Sequence, residues 1–219
     1  GVAPAKQGLT RCTVLSVGHG RGVVIETPGG RTLVFDAGRM PDGKPAARAI
    51  RTHLRQRGRH RIDALVNNAG YGLWGPVQSL AIDELRAQFE TNLFATVRMA
   101  KAVLPGMLAQ RAGKIVNVSS ILGRMGTPFN GAYVASKFAL EGLSESLRTE
   151  VWPFGVHVAI VEPGLFETEF QRNQVRAVRV DDPDLVYASD IQRYNARHQT
   201  FDRLSADPIK VSKVIHRII

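Results

Sequence analysis

The chain has 219 residues, one cysteine (Cys12), a net charge of +10, 44% apolar residues and 22% charged ones. Such a chain can bury a good core as one α/β unit; it has no partner cysteine for an intramolecular disulfide and no thiolate set for a metal cluster. No apolar run approaches the roughly 20 residues needed to cross a bilayer, the opening GVAPAKQGLT lacks the apolar core of a signal peptide, and a reducing, cytoplasmic setting is expected.

The charge is uneven. Residues 1–61 hold twelve Lys/Arg against three acids (Glu26, Asp36, Asp42), whereas residues 62–219 hold seventeen against sixteen. The basic third suits either an anionic partner, such as nucleic acid or a phosphate-bearing cofactor, or a solvated arginine-rich surface. No aromatics interleave the arginines, which favours the surface.

In chain order, Thr13–Val17, Val23–Glu26 and Thr32–Asp36 read as strands, and Pro28-Gly29-Gly30 between the last two reads as a hairpin turn. Pro41-Asp42-Gly43 is a loop. Pro45 to about Gln56 has helical spacing, with Ile50 and Leu54 on one face and Gly58 as a stop. Ile62–Val66 is a buried strand. Ile82 to about Met107 is a long helix with Asp83 and Glu84 near its N-terminus, where the dipole favours acids, and with Pro105 kinking or ending it. Lys114–Ser120 is a strand. Gly131 to about Val151 is a helix, with Phe138, Leu140, Leu143 and Leu147 expected on its buried face. His157–Glu162 is the next strand, closed by Pro163-Gly164. Leu165 to about Val186 reads as a loop, and Asp207-Pro208 starts a last helix. Strands linked by long helices predict a parallel sheet with right-handed crossovers.

The chemistry concentrates in SILGRMGTPFNGAYVASK, residues 120–137. Tyr133 and Lys137 stand four residues apart and share a helix face. An ammonium near a phenol favours the phenolate, so the tyrosine pKa is expected to fall from about 10 toward working pH. A phenol tuned this way exchanges a proton with an alcohol or carbonyl oxygen, and Ser120 is placed to hold that oxygen.

Around this stretch stand Asn67-Asn68-Ala69-Gly70, Asn92, Val161-Glu162-Pro163-Gly164 and Thr168. In this order the residues from about Ile62 to Ile219 resemble the short-chain dehydrogenase/reductase family. The resemblance implies an α/β fold with a Rossmann-like, doubly wound parallel sheet. It implies NAD or NADP as cofactor and a small-molecule alcohol or carbonyl substrate, the latter either small or lipid-like. Tyr133 would be the general acid/base, Lys137 its pKa-lowering and ribose-holding partner, Ser120 the orienter of the substrate oxygen, and Asn92 the holder of a relay water. Asn67, Ala69 and Gly70 would line the adenosine side, while Pro163, Gly164 and Thr168 would cradle the nicotinamide end. The segment 165–186 would be the mobile substrate loop, and the two long helices would pair in a homodimer. The family usually adds another strand after the last helix, so the sheet is expected to be incomplete.

The family opens with a strand, a Thr-Gly-x-x-x-Gly-x-Gly turn and a helix that receives the cofactor pyrophosphate. This chain has Gly18-His19-Gly20-Arg21-Gly22, with Val24 where the last glycine belongs and a hairpin following. Arg21 and Arg39 offer substitute charge. The stretch VLSVGHGRGVVIETPGGRTLVFDAG, then a helix, then RIDALV, is similar instead to the opening of competence-type metallo-β-lactamase-fold proteins. Its His-x-His-x-Asp-His metal motif is replaced by Asn67-Asn68-Ala69-Gly70, and no metal site is expected. The chain therefore reads as a hybrid joined near Asp63–Asn67: a basic, β-rich segment over residues 1–61 and a dehydrogenase-like domain over 62–219. The competing functions are a non-catalytic anion- or nucleic-acid-binding protein and a metal-dependent hydrolase.

Overall fold

The computed structural model describes residues 8–16, 21–36, 44–171, 173–201 and 205–219. Gly18, His19, Gly20, Arg39, the 41–43 loop and Arg172 lie outside the described residues, as does the side chain of Arg21.

Six strands form one sheet. They are β1 (Arg11–Ser16), β2 (Arg21–Glu26), β3 (Thr32–Phe35), β4 (Ala64–Asn67), β6 (Gly113–Val118) and β7 (Val156–Val161), side by side in that order. β1–β2 and β2–β3 are antiparallel, and β3, β4, β6 and β7 run parallel. The β2–β3 turn closes through the Gly30 amide, which donates to the Thr27 carbonyl at 3.0 Å; Gly30 sits at a φ of 82° that only glycine adopts freely. Two short strands, β5 (Leu73–Trp74) and β8 (Val175–Arg176), pair separately.

Alternation of side chains sorts the sheet faces. Val24, Val34, Leu65, Ile115 and Val158 share one face and pack on α1 (Lys44–Gln56), through Ile50 and Leu54, and on α3 (Ala95–Ala109), through Met99, Val103 and Met107. Val66 and Val116 point to the other face and meet α6 (Ile209–Ile218) through Val211 and Ile215. With helices on both faces, the sheet is Rossmann-like. A cleft of about 830 Å³ lies beside α6 over Ile25, Leu33, Phe35 and Ala64.

The long helix is one bent rod. α2 (Ile82–Phe89) passes through a wide π turn (Glu90–Phe94) into α3. Pro105 does not end it; the helix runs four residues further, to Ala109. α4 (Gly131–Val151) has the expected bounds; of the residues expected on its buried face Leu140 is buried, Leu143 and Leu147 are partly buried, and Phe138 is not. Phe138 is 45% exposed, and the buried stripe is Tyr133, Ser136, Lys137, Leu140, Glu141 and Ser144. Most of these polar groups have partners: Lys137 donates to the Val118 carbonyl, Ser144 accepts from Asn117 and Ser136 accepts from Asn92. The segment after Pro163 is also more structured than a plain loop: it contains β8 and then α5 (Ala188–Phe201), which the sequence pattern does not announce.

Candidate active site

Parallel strands converge at their C-terminal ends, where α/β sheets bind ligands. β4 ends at Asn67, β6 runs into Ser119 and Ser120, and β7 runs into Pro163. The Ile121 amide donates to the Pro163 carbonyl at 3.0 Å and the Ser119 amide to the Val161 carbonyl at 2.8 Å, which fixes the Ser120 turn beside Pro163 and Gly164.

α4 crosses these ends and delivers Tyr133 and Lys137, 7% and 4% exposed. The Ser120 hydroxyl lies near enough to the Tyr133 phenol to favour its charged form, and it accepts the Leu122 amide at 3.1 Å. The Lys137 ammonium donates to the Val118 carbonyl at 2.8 Å and lies 5.8 Å from the Tyr133 ring centre. Ser120, Tyr133 and Lys137 thus form one buried group. Burial pushes the Tyr133 phenol above its ordinary pKa, and the Ser120 hydroxyl only partly opposes it. This reverses the lowering expected from the Tyr–Lys spacing. The same burial lowers Lys137 to about 8, against the opposing charges of Asp36 and Glu141.

Asn92 lies in the π turn, a distortion often found at functional sites. Its side chain accepts the Tyr71 amide at 3.1 Å and donates to the Tyr71 carbonyl and the Ser136 hydroxyl, both at 3.0 Å. The Asn92 amide thereby ties the loop at Tyr71 to Ser136 on α4. One turn earlier, buried Gln88 clamps the same segment through the Leu73 amide and the Tyr71 carbonyl, each at 2.7 Å. Nothing in its spacing singled out Gln88. A Cβ on Gly70 would lie 3.2 Å from Asn92 Oδ1 and 3.7 Å from Lys137 Nζ, so Gly70 lets the chain pass close to the ammonium.

Asn67 behaves differently from an open cleft residue. It is 6% exposed, and its amide donates to Asn117 at 2.8 Å; Asn117 donates to Ser144 at 2.8 Å. The side chain is interior, held in a chain of amides between β4, β6 and α4. Ala69 contributes its backbone. Its N–H and that of Asn68 both donate to one carboxylate oxygen of Asp36 at 2.5 Å. Asp36 stands at the end of β3 with φ 51°, and burial raises its pKa against those two hydrogen bonds and the charge of Lys137.

Thr168 is exposed, and its hydroxyl accepts the Phe170 amide at 3.3 Å. Phe170 then lays its ring 5.4 Å from that of Tyr133. β5–β8 pairing and the Glu84 carboxylate, which accepts the Val178 amide at 2.9 Å, pin this strap. Beyond it, Trp74, Phe129, Tyr187 and Tyr194 form an aromatic wall, with Trp74–Phe129 and Phe129–Tyr194 ring centres 5.8 and 5.3 Å apart. The sequence gives no periodic signal for this wall, because its members come from three separate segments. Among the described residues, no three His, Cys, Asp or Glu side chains gather to hold a metal, and no helix is long and apolar enough to cross a membrane.

The model of the short chain dehydrogenase family matches residues 31–179. Retinol dehydrogenase 8 of Bos taurus is 42% identical over 164 residues, covering 72% of this chain and 52% of that protein. The 3-ketodihydrosphingosine reductase of Bacteroides thetaiotaomicron is 51% identical over 114 residues, 52% of this chain and 42% of that protein. The chain thus spans about half the length of these curated relatives. Among solved structures, a short-chain dehydrogenase from Streptomyces avermitilis superposes with a TM-score of 0.68 at 35% identity, over 80% of this chain and 62% of that one. NAD+-bound xylitol dehydrogenase gives 0.54 at 30% identity, over 61% and 50%. A metagenomic short-chain oxidoreductase in complex with NADP gives 0.51 at 33%, over 60% and 56%.

Proposed function

The chain belongs to the short-chain dehydrogenase family, and from that premise we propose that it is an NAD- or NADP-dependent oxidoreductase acting on an apolar, lipid-like alcohol or carbonyl. The observation that carries this reading is the buried group of Ser120, Tyr133 and Lys137 at the C-terminal ends of parallel strands. The names of the retinol and ketodihydrosphingosine relatives, and the aromatic wall around Trp74, favour an apolar substrate.

A bound nicotinamide dinucleotide supplies or accepts the hydride. The rest falls to side chains of this chain. Ser120 orients the substrate oxygen by hydrogen bond. Tyr133 gives or takes the proton at Oη. Lys137 offers an ammonium to the nicotinamide ribose. Pro163, Gly164 and Thr168 flank the nicotinamide end. Phe170 and the strap exclude water from the reacting oxygen, which strengthens every charge inside. Asn92 acts through position, by holding the segment that carries Gly70 against Lys137.

The residues present fit the ribose end of a dinucleotide through the Lys137 ammonium, a donor placed at the strand ends beside Gly70. The adenosine side rests on the backbone of Ala69 and Gly70, with Asn67 as interior support. The Asn68 and Ala69 amides are engaged by Asp36, so phosphate binding there is expected to be weak. Calorimetry with NADH and NADPH tests the reading: heat of binding for either, lost on Lys137→Met, supports it, and no binding of either removes it.

A separate origin for the N-terminal segment, of competence-type metallo-β-lactamase character, is part of the same proposal. It rests on the antiparallel β1–β2 pair and on the excess of Lys/Arg in the first third. The short-chain dehydrogenase match covers residues 31–61 as well, so the proposal is confined to residues before β3. Transcript sequencing across this region tests it; a reading frame carrying the family's Thr-Gly-x-x-x-Gly-x-Gly opening would end it. A homodimer through the long helices is proposed from exposed Phe94 and Phe138; sedimentation of Phe138→Glu as the same species as the unaltered chain would dismiss it.

A further inference from the structure

Beneath the Ser120 turn lies a carboxylate that the mechanism above does not use. Glu141 is 3% exposed and stands one helical turn beyond Lys137 on the buried stripe of α4. Neither of its oxygens has a conventional hydrogen-bond partner, nor does the buried Ser119 hydroxyl beside it. Among the described residues it pairs with the Arg124 guanidinium at 3.2 Å. A buried carboxylate is costly unless something nearby uses its charge.

The surroundings are built for it. Gly123 makes room: a Cβ there would lie 2.8 Å from the Ser119 hydroxyl and 3.0 Å from Glu141 Oε1. Arg124 closes the short 3-10 turn that begins at Ser120. The same guanidinium reaches Glu145 on α4 at 3.3 Å and Glu162 at the end of β7 at 3.1 Å. One side chain therefore ties the three segments that carry Ser120, the Tyr133–Lys137 pair and Pro163.

We propose that Glu141 is, beside Asp36, an internal counter-charge of Lys137, and that Arg124 holds it there while fixing the Ser120 turn against α4. Both are positioning residues; neither touches substrate. The inference rests on the reading of Lys137 as a site residue. The charged or titratable groups around Lys137 are Asp36 from the end of β3, Glu141 and Tyr133 on α4, and Arg124 behind Glu141.

The test is NMR titration of the Lys137 side chain, assigned by its loss in Lys137→Arg. It needs no nucleotide and no turnover, so a chain without dehydrogenase activity tests it equally well. Glu141→Gln, close in shape, is expected to move the Lys137 midpoint to lower pH by about half a unit or more, because it removes a neighbouring negative charge. Arg124→Met, which releases the carboxylate from its hold, is expected to move it the same way by less, and Arg124→Lys, which keeps the charge, to leave it nearly unchanged. A loss of packing alone would not be rescued by Arg124→Lys. An unmoved midpoint in Glu141→Gln, or a shift of the opposite direction in Arg124→Met, overturns the inference.

Discussion

The Lys137 ammonium donates to the Val118 carbonyl at 2.8 Å, which fixes a charge at the dry C-terminal end of β6. Burial lowers its pKa from 10.5 to about 8. Below about 8 the folded chain carries the full desolvation penalty of the buried charge. As pH rises from there toward 10.5, the folded form gives up the proton while the unfolded chain keeps it, so stability rises. The gain is on the order of 2–3 kcal/mol. Tyr133, whose folded pKa is raised above 10.0, works against stability only above that value. Urea unfolding at a series of pH values between neutrality and that point should show the rise in the unaltered chain, and Lys137→Met should lack it. A parallel slope in both would place the proton elsewhere.

The amide chain Asn67–Asn117–Ser144 predicts a large effect from a residue with no part in chemistry. Asn117→Ala leaves the Asn67 amide without its partner inside the protein, while the Ser144 hydroxyl keeps its bond to the Leu140 carbonyl at 2.6 Å. The orphaned amide costs about 1–3 kcal/mol. A lower midpoint in urea with an unchanged slope is expected; an unchanged midpoint would mean that water replaces the lost contacts.

Which parts were readable in the sequence follows from what periodicity encodes. Ile50 and Leu54, and the β-branched run before Ser120, report burial against a neighbour, and both fell where the pattern put them. The Tyr133 and Lys137 spacing fixed a shared helix face. It did not fix the dielectric around them, so the direction of the Tyr133 shift was misjudged. The polar part of the α4 stripe is not legible for a related reason, while Leu140 and Leu147 turn inward as their spacing implies. Glu141 and Ser144 are polar in sequence but buried in the fold, because Arg124 and Asn117 reach them from distant segments. Phe170 and the aromatic wall depend on β5–β8 pairing across about a hundred residues, which local spacing does not carry.

Phe170 covers Tyr133, and burial is the main cause of the raised phenol pKa. Phe170→Ala opens the site to water, and the Tyr133 titration should move down toward its ordinary value of about 10. The phenolate absorbance change, taken as a difference from Tyr133→Phe in the same background, reports it. No movement would show that other walls keep the ring dry.

Asp36 places a carboxylate where the Asn68 and Ala69 amides face the strand ends. Asp36→Asn keeps an oxygen for both amides and removes the charge. Nicotinamide dinucleotide binding should tighten by roughly tenfold, about 1.4 kcal/mol, through loss of repulsion with the pyrophosphate. Weaker binding in calorimetry would mean that the Asp36 charge supports the site through Lys137 instead.

The account stands most directly on Tyr133 as the proton-exchanging group. The measurement is consumption of NADPH or NADH with a long-chain apolar aldehyde, by the unaltered chain and by Tyr133→Phe, with nucleotide binding followed in parallel. The account predicts turnover that falls by about a hundredfold or more in Tyr133→Phe while nucleotide binding stays the same. Equal turnover by the two proteins would contradict it.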